Sequence, residues 1–375
     1  MGDERPDVRP DVLLTGLLFY DLVLTGLGKP PTPGEEIWTD GMGTSPGGIA
    51  NLAVAAARYG LRTSLATVFG DDYYGTYCRD VLAGQEHVDL SLSRTADGWH
   101  TPVTVSLALP HSRLRSSGGT PMSGGTPTHD RALVTHGQEP PYSQDALMGD
   151  PPAARTALVH IEAEPREWLA KAAANGTKIY ADVGWDPTQQ WSSALLDQLA
   201  LCHAFVPNDT EAMAYTRTDT AADALSKLSE LVPVAVVTRG GDGALAVDQT
   251  TGEYADVPAL ATEVLDATGA GDVFGASFVA ASLGGWPLEE RLRFAVLAAS
   301  LSVRRHGGAL AAPGWYGVHQ WWQSVQNTEN TANPENTALR RAYGFLADRL
   351  PADPGPPVPH APVTPPAPHG IPDLP

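Results

Sequence analysis

The chain has 375 residues, room for one large or two ordinary domains, and its hydrophobic content of 42% suits a globular core. The net charge of -19 argues against a nucleic-acid backbone or an anionic membrane as partner, though a phosphorylated small ligand needs only local positive potential. Two cysteines, Cys78 and Cys202, give neither a disulfide framework nor zinc-ligand spacing. There is no apolar signal core in M-G-D-E-R-P-D-V-R-P and no bilayer-spanning run, so a cytoplasmic location is expected.

In chain order, D-V-L-L-T-G-L-L (11–18) predicts a strand ending near Asp21, and G-E-E-I-W-T-D (34–40) predicts a short strand apart from the main series. G-I-A-N-L-A-V-A-A-A-R-Y-G (48–60) predicts a helix stopped by Gly60. A strand over 62–70 and a helix over 71–82 follow. Then T-P-V-T-V-S-L-A-L-P (101–110) and R-A-L-V-T-H-G (131–137) predict strands with no helix between them. The Gly/Ser/Pro/Thr-rich segment separating them, about 111–128, reads as a flexible insertion. Alternation resumes with a strand at 156–162, a helix from about 165, a strand at 177–183, a strand at 201–208, a helix over 208–216 and a strand at 233–238. Such alternation predicts an α/β fold with a mostly parallel sheet flanked by helices. Segments 34–40, 101–110 and 131–137 would form a small separate β-sheet. From 325 to 375 the chain is Pro-rich and reads as largely disordered, with one helix at 338–350, so its removal is expected to leave stability and activity nearly unchanged.

The stretch D-A-T-G-A-G-D-V-F-G-A-S-F (266–278) raises the chemical question. If a helix starts at Ala270, the amides of Thr268 to Gly271 have no intrahelical acceptor, and with the helix dipole they form a cup for an anion. Asp272 would stand at the rim. A carboxylate there gains nothing from a phosphate but can take a proton from a hydroxyl that attacks one. An ordinary first-turn aspartate behind a glycine turn accounts for this stretch equally well. Elsewhere P-N-D-T-E (207–211) reads as a capping box, V-V-T-R-G-G-D-G-A-L-A-V (236–247) as a hairpin, and S-P-G-G-I-A-N (45–51) as a glycine turn entering a helix. His160 reads as a satisfied buried histidine.

The 266–278 stretch resembles the C-terminal signature of the ribokinase-like sugar kinases, the phosphofructokinase B family, and the resemblance runs from about Asp11 to about Trp315, within a kinase domain over 11–324. It implies a ribokinase-like fold in which the small sheet is a lid. Asp272 would be the catalytic base, with Gly269, Ala270 and Gly271 the anion hole. Asn208 and Glu211 match the family's N-x-x-E motif and would help hold Mg²⁺, partly through water. Thr238, Gly240 and Gly243 match its T-x-G-x-x-G segment, and with Asn208 and Thr268 would contact ATP. Asp21, Gly47, Gly48, Asn51, Arg131 and Glu162 fall at positions that face the acceptor. Pro46 stands where the family has its first glycine. The backbone at Asp266 and Thr268, with the loop 305–308, resembles a K⁺ site.

The expected activity is ATP-dependent phosphorylation of a hydroxyl on a sugar or sugar-like molecule. A nucleoside kinase of the same fold remains open. So does a non-catalytic nucleotide or sugar sensor, which the intact G-A-G and Asp272 disfavour. The acceptor-side segments carry carboxylates and no lysine or arginine apart from Arg131, which favours an uncharged polyol over a sugar phosphate. The lid is the candidate surface for a homodimer.

Overall fold

The computed structural model describes residues 9–109, 130–184, 188–327 and 334–359. The expected insertion at 111–128 lies outside them. The strands are β1 (Val12–Thr15), β2 (Leu18–Thr25), β3 (Gly41–Gly48), β4 (Thr63–Ala66), β5 (Val68–Gly70), β6 (Arg94–Ala96), β7 (Val103–Leu109), β8 (Asp130–His136), β9 (Thr156–Ile161), β10 (Lys178–Val183), β11 (Ala204–Phe205), β12 (Val234–Thr238), β13 (Ala244–Asp248) and β14 (Glu253–Val257).

Eight strands form the central sheet in the order β14-β13-β12-β11-β10-β9-β1-β4. Neighbours from β4 to β12 are parallel, and β13 and β14 complete the far edge antiparallel. The inner strands are apolar throughout because helices cover both faces. In β1, Val12 and Leu14 enter one core while Leu13 enters the other, following the two-residue period of a strand. The first core is closed by helices Ile49–Ala57, Ala270–Leu283 and Leu288–Ser302, and the second by Glu167–Ala174 and Ala221–Ser229.

A four-stranded sheet, β3-β2-β7-β8, stands apart as the lid. Its composition corrects the sequence reading. The segment 34–40 forms no strand; the lid strand is β3, at 41–48. The run 11–18 divides, with β1 in the central sheet and β2 crossing into the lid. Asp21 therefore lies within a lid strand, opposite Ser45, and does not end a central one. Pro46 is tolerated because β3 is an edge strand, where a missing N–H breaks no second ladder.

The C-terminal region is also corrected. Helices Pro334–Tyr343 and Leu346–Arg349 dock on the body, with Tyr343 and Leu346 buried in the first core. Phe345 meets Trp286 edge-on at 6.0 Å, Tyr343 meets Trp321 at 5.0 Å, and Arg349 pairs with Glu290 at 3.0 Å. Farther on, the Pro359 carbonyl accepts from Arg58 at 2.7 Å. Arg58 also donates to the carbonyls of Leu310 and Ala312 and makes a buried two-pronged pair with Glu86. One guanidinium thus ties the end of the first helix to two later segments, and removing Glu86 would leave that charge buried at a cost of about 3–5 kcal/mol.

Candidate active site

Gly269 caps the helix Ala270–Leu283 with φ +74°, a torsion that glycine adopts without strain, and no side chain bonds the first-turn amides. A Cβ built on Gly271 would meet open space. The helix starts at Ala270 as expected, behind a backbone loop in which the Ala270 amide reaches the Ala267 carbonyl at 3.3 Å. Asp266 shapes it from below: its Oδ1 accepts from the Thr268 amide at 2.9 Å and its Oδ2 from the Gly307 amide at 3.1 Å. One carboxylate so joins the two loops.

The lid reaches this cup. Ser106 Oγ on β7 lies 3.3 Å from Thr268 Oγ1, and Thr25 Oγ1 on β2 lies 3.0 Å from His306 Nδ1. Asp21, only 5% exposed, comes down from β2. Gly47 leaves the space it needs, since a Cβ there would sit 1.9 Å from Asp21 Oδ2. Burial pushes the Asp21 carboxyl up to about 7; Arg131 on β8 opposes the rise, and the charges of Asp266 and Asp272 add to it. Gly48 ends β3 and turns the chain into the helix Ile49–Ala57, which carries Asn51.

Asn51 Nδ2 donates to Asp272 Oδ2 at 2.9 Å. Its Oδ1 is buried and has no protein partner, so an acceptor lone pair points into the site beside the carboxylate. Cβ atoms built on Gly269 and Gly308 would lie 3.1 Å from Asn51 Cγ and 3.4 Å from Asn51 Oδ1, which places both loops around this amide.

The structure brings two further residues to the site: His160, expected to be a satisfied buried histidine but only half-buried, and Asp182, which the sequence reading left out. His160 Nε2, on β9, lies 3.3 Å from Asp272 Oδ1. Asp182, on β10, is the register partner of His160. Burial pushes the Asp182 carboxyl up to about 8, moderated by His160 and reinforced by Glu211. Neither residue belongs to a local motif. The available signal was the pair of polar residues near the ends of two apolar strands that a parallel sheet would place side by side.

On the far side of the cup, Asn208 and Glu211 form the expected capping box of the helix Asp209–Thr216. Burial raises the pKa of Glu211, against the hydrogen bonds from Asn208. Thr238, at the end of β12, is bridged to Asn208, and the turn beyond it holds Gly240 and Gly243. Gly243 abuts β14, where a Cβ would meet the Val257 carbonyl at 2.0 Å. Glu162 lies just past β9, more than half exposed, with its carboxylate paired to Arg166. A cleft of about 790 Å³ opens between the loop Pro258–Leu265, which leads into the cup, and the C-terminal helices; Leu260, Arg304, Trp321, Leu339 and Tyr343 are among its walls.

Comparison with known proteins bears on this geometry. The family model described as pfkB family carbohydrate kinase matches residues 162–314. The ribokinase of Bacillus subtilis is 28% identical over 81% of this chain and 96% of its own length. The nucleoside kinase of Methanothermobacter thermautotrophicus is 25% identical over 79% of this chain and 90% of its own. Among solved structures, Arabidopsis thaliana ribokinase complexed with ribose and ATP superposes with a TM-score of 0.64 at 24% identity, covering 84% of this chain and 98% of that one.

Proposed function

Because the chain belongs to the pfkB family of carbohydrate kinases, of ribokinase type, we propose that it transfers the γ-phosphoryl group of ATP to a hydroxyl of a small uncharged polyol, with Asp272 as the base. The observation that carries this reading is the position of Asp272. It stands in the first turn of a helix entered through a positive-φ glycine with no side-chain cap, with its carboxylate held by Asn51.

Asp272 takes the proton of the acceptor hydroxyl, and that oxygen forms its bond to phosphorus as the bond to the departing ADP oxygen breaks. The amides of Gly269, Ala270 and Gly271 hold the oxygens of the transferring group. Asp21 and the unpartnered Asn51 Oδ1 accept from acceptor hydroxyls, with Arg131 and Glu162 at the margin of that site. Thr238, Gly240 and Gly243 flank the nucleotide. Asn208 and Glu211 would hold Mg²⁺, partly through water, and the ion would offset phosphate charge. Carbonyls near Asp266 and Thr268 would hold K⁺ beneath the cup.

The one buried carboxylate at the acceptor side, Asp21, suits hydroxyl donors and disfavours a phosphate, which favours a free pentose or ketohexose. A nucleoside carries the same uncharged diol, and the likeness to a nucleoside kinase keeps it as the second reading. The test is ADP release with ATP, Mg²⁺ and K⁺ across D-ribose, 2-deoxy-D-ribose, D-fructose, cytidine, adenosine and fructose 6-phosphate. Turnover of a free sugar is expected. Preference for fructose 6-phosphate would overturn the acceptor assignment, and preference for a nucleoside would select the second reading. Met42, Leu133 and Val134 are exposed on the lid's outer strands and support a homodimer there; sedimentation as a monomer at micromolar concentration would remove it.

A further inference from the structure

The Asp272 carboxylate is gripped at both oxygens by donors from different elements. Asn51, on the helix Ile49–Ala57, holds Oδ2, and His160, on β9, stands at Oδ1. An aspartate on the first turn of a helix has rotamer freedom, and a bound triphosphate would repel it. Donors on two fixed elements oppose both effects. His160 also faces Asp182 across the β9–β10 register, and the charge of Glu211 reaches it from the helix Asp209–Thr216.

We propose that His160 is a positioning residue for the base: its imidazolium clamps Asp272 Oδ1 while Asn51 clamps Oδ2, fixing the carboxylate toward the acceptor hydroxyl and placing a positive charge beside the path of the phosphoryl group. This role rests on the kinase reading above. Burial disfavours the imidazolium, but the Asp272 carboxylate beside it, through its hydrogen bond and its charge, outweighs this and lifts His160 to about 9. It keeps its own proton through the transfer. Once Asp272 has taken the hydroxyl proton, the adjacent imidazolium favours loss of that proton to solvent, and the base is reset. The His160 side chain is 37% exposed, so solvent lies within reach.

Two measurements on the full chain test this. Ring-nitrogen NMR should find His160 titrating near 9 in the wild type and at least one unit lower in Asp272→Asn; equal midpoints would overturn the pairing. Kinetics on the acceptor panel above should show kcat falling about 10–100-fold in His160→Ala, with KM for ATP within about threefold. His160→Gln, whose amide can still donate, should recover part of that loss at neutral pH but lack the wild type's alkaline limb near pH 9. A kcat within twofold in His160→Ala, or an unchanged alkaline limb in His160→Gln, would overturn the positioning role. An inactive Asp272→Asn beside normal His160 variants would leave the kinase reading standing and remove this one. A wild type that phosphorylates nothing on the panel would remove the kinase reading, while the titration still decides the pairing.

Discussion

The two halves of the site are built from different materials. The proposed phosphate half, Thr268 to Gly271 with Asp266 beneath it, is mostly backbone, a loop with one positive-φ glycine and a helix start. The proposed acceptor half is made of side chains from separate elements, with buried Asp21 from the lid, buried Asn51 from the first long helix and half-buried His160 from the central sheet. A backbone cup holds its shape through local hydrogen bonds and tolerates changes elsewhere. A side-chain cluster is correct only if the lid, a helix and a strand all meet, so it should be the more fragile half.

Single substitutions can sharpen that contrast. The largest effect is expected from Asp272→Asn, which keeps the shape but lacks the proton acceptor; turnover should fall by about 10²–10⁴-fold, measured by ADP release. Next is Gly47→Ala. Its methyl would fall 1.9 Å from Asp21 Oδ2 and displace that carboxylate, so turnover should fall about 100-fold while ATP binding changes little.

Deleting residues 328–375 removes Tyr343 and Leu346 from the core and should lower stability by about 3–6 kcal/mol, seen as a melting temperature several degrees lower. An unchanged melting temperature would mean that the docked helices contribute nothing. Asp21→Asn tests the electrostatics. A carboxyl whose folded pKa is raised to about 7 from its ordinary 3.8 contributes stability that is full below 3.8 and is lost as pH rises through 7. The asparagine variant should therefore melt higher than the wild type at pH 8, with the gap closing towards pH 4, and should bind the acceptor more weakly. The smallest expected change is a lower rate when Na⁺ replaces K⁺ at matched ionic strength.

The same contrast explains what could be read from the sequence. The cup is contiguous, so D-A-T-G-A-G-D was visible as a unit, and the capping box at Asn208 and Glu211 is a three-residue spacing. His160 and Asp182 are twenty-two positions apart and meet only through strand register, which no local pattern specifies. The lid misled in a different way. G-M-G-T-S-P-G-G looks like turn because its four glycines, serine and proline leave only one β-branched residue, Thr44, yet it pairs along its whole length with β2 as an edge strand. E-E-I-W-T has the alternation of a strand and forms none. A helix at 338–350 was legible, and two short helices stand there; low average hydropathy concealed their docking, which depends on a few residues, Tyr343, Phe345 and Leu346, amid proline-rich sequence.

The central claim is that the cup binds phosphate independently of the carboxylate that performs the chemistry. Calorimetry of ATP with Mg²⁺ against the wild type and Asp272→Asn tests it most directly. The account predicts dissociation constants within about threefold of each other, a difference below 1 kcal/mol, in a variant that has lost its turnover. A drop in affinity of more than about tenfold would show that Asp272 is part of the phosphate site itself and would contradict the division drawn here.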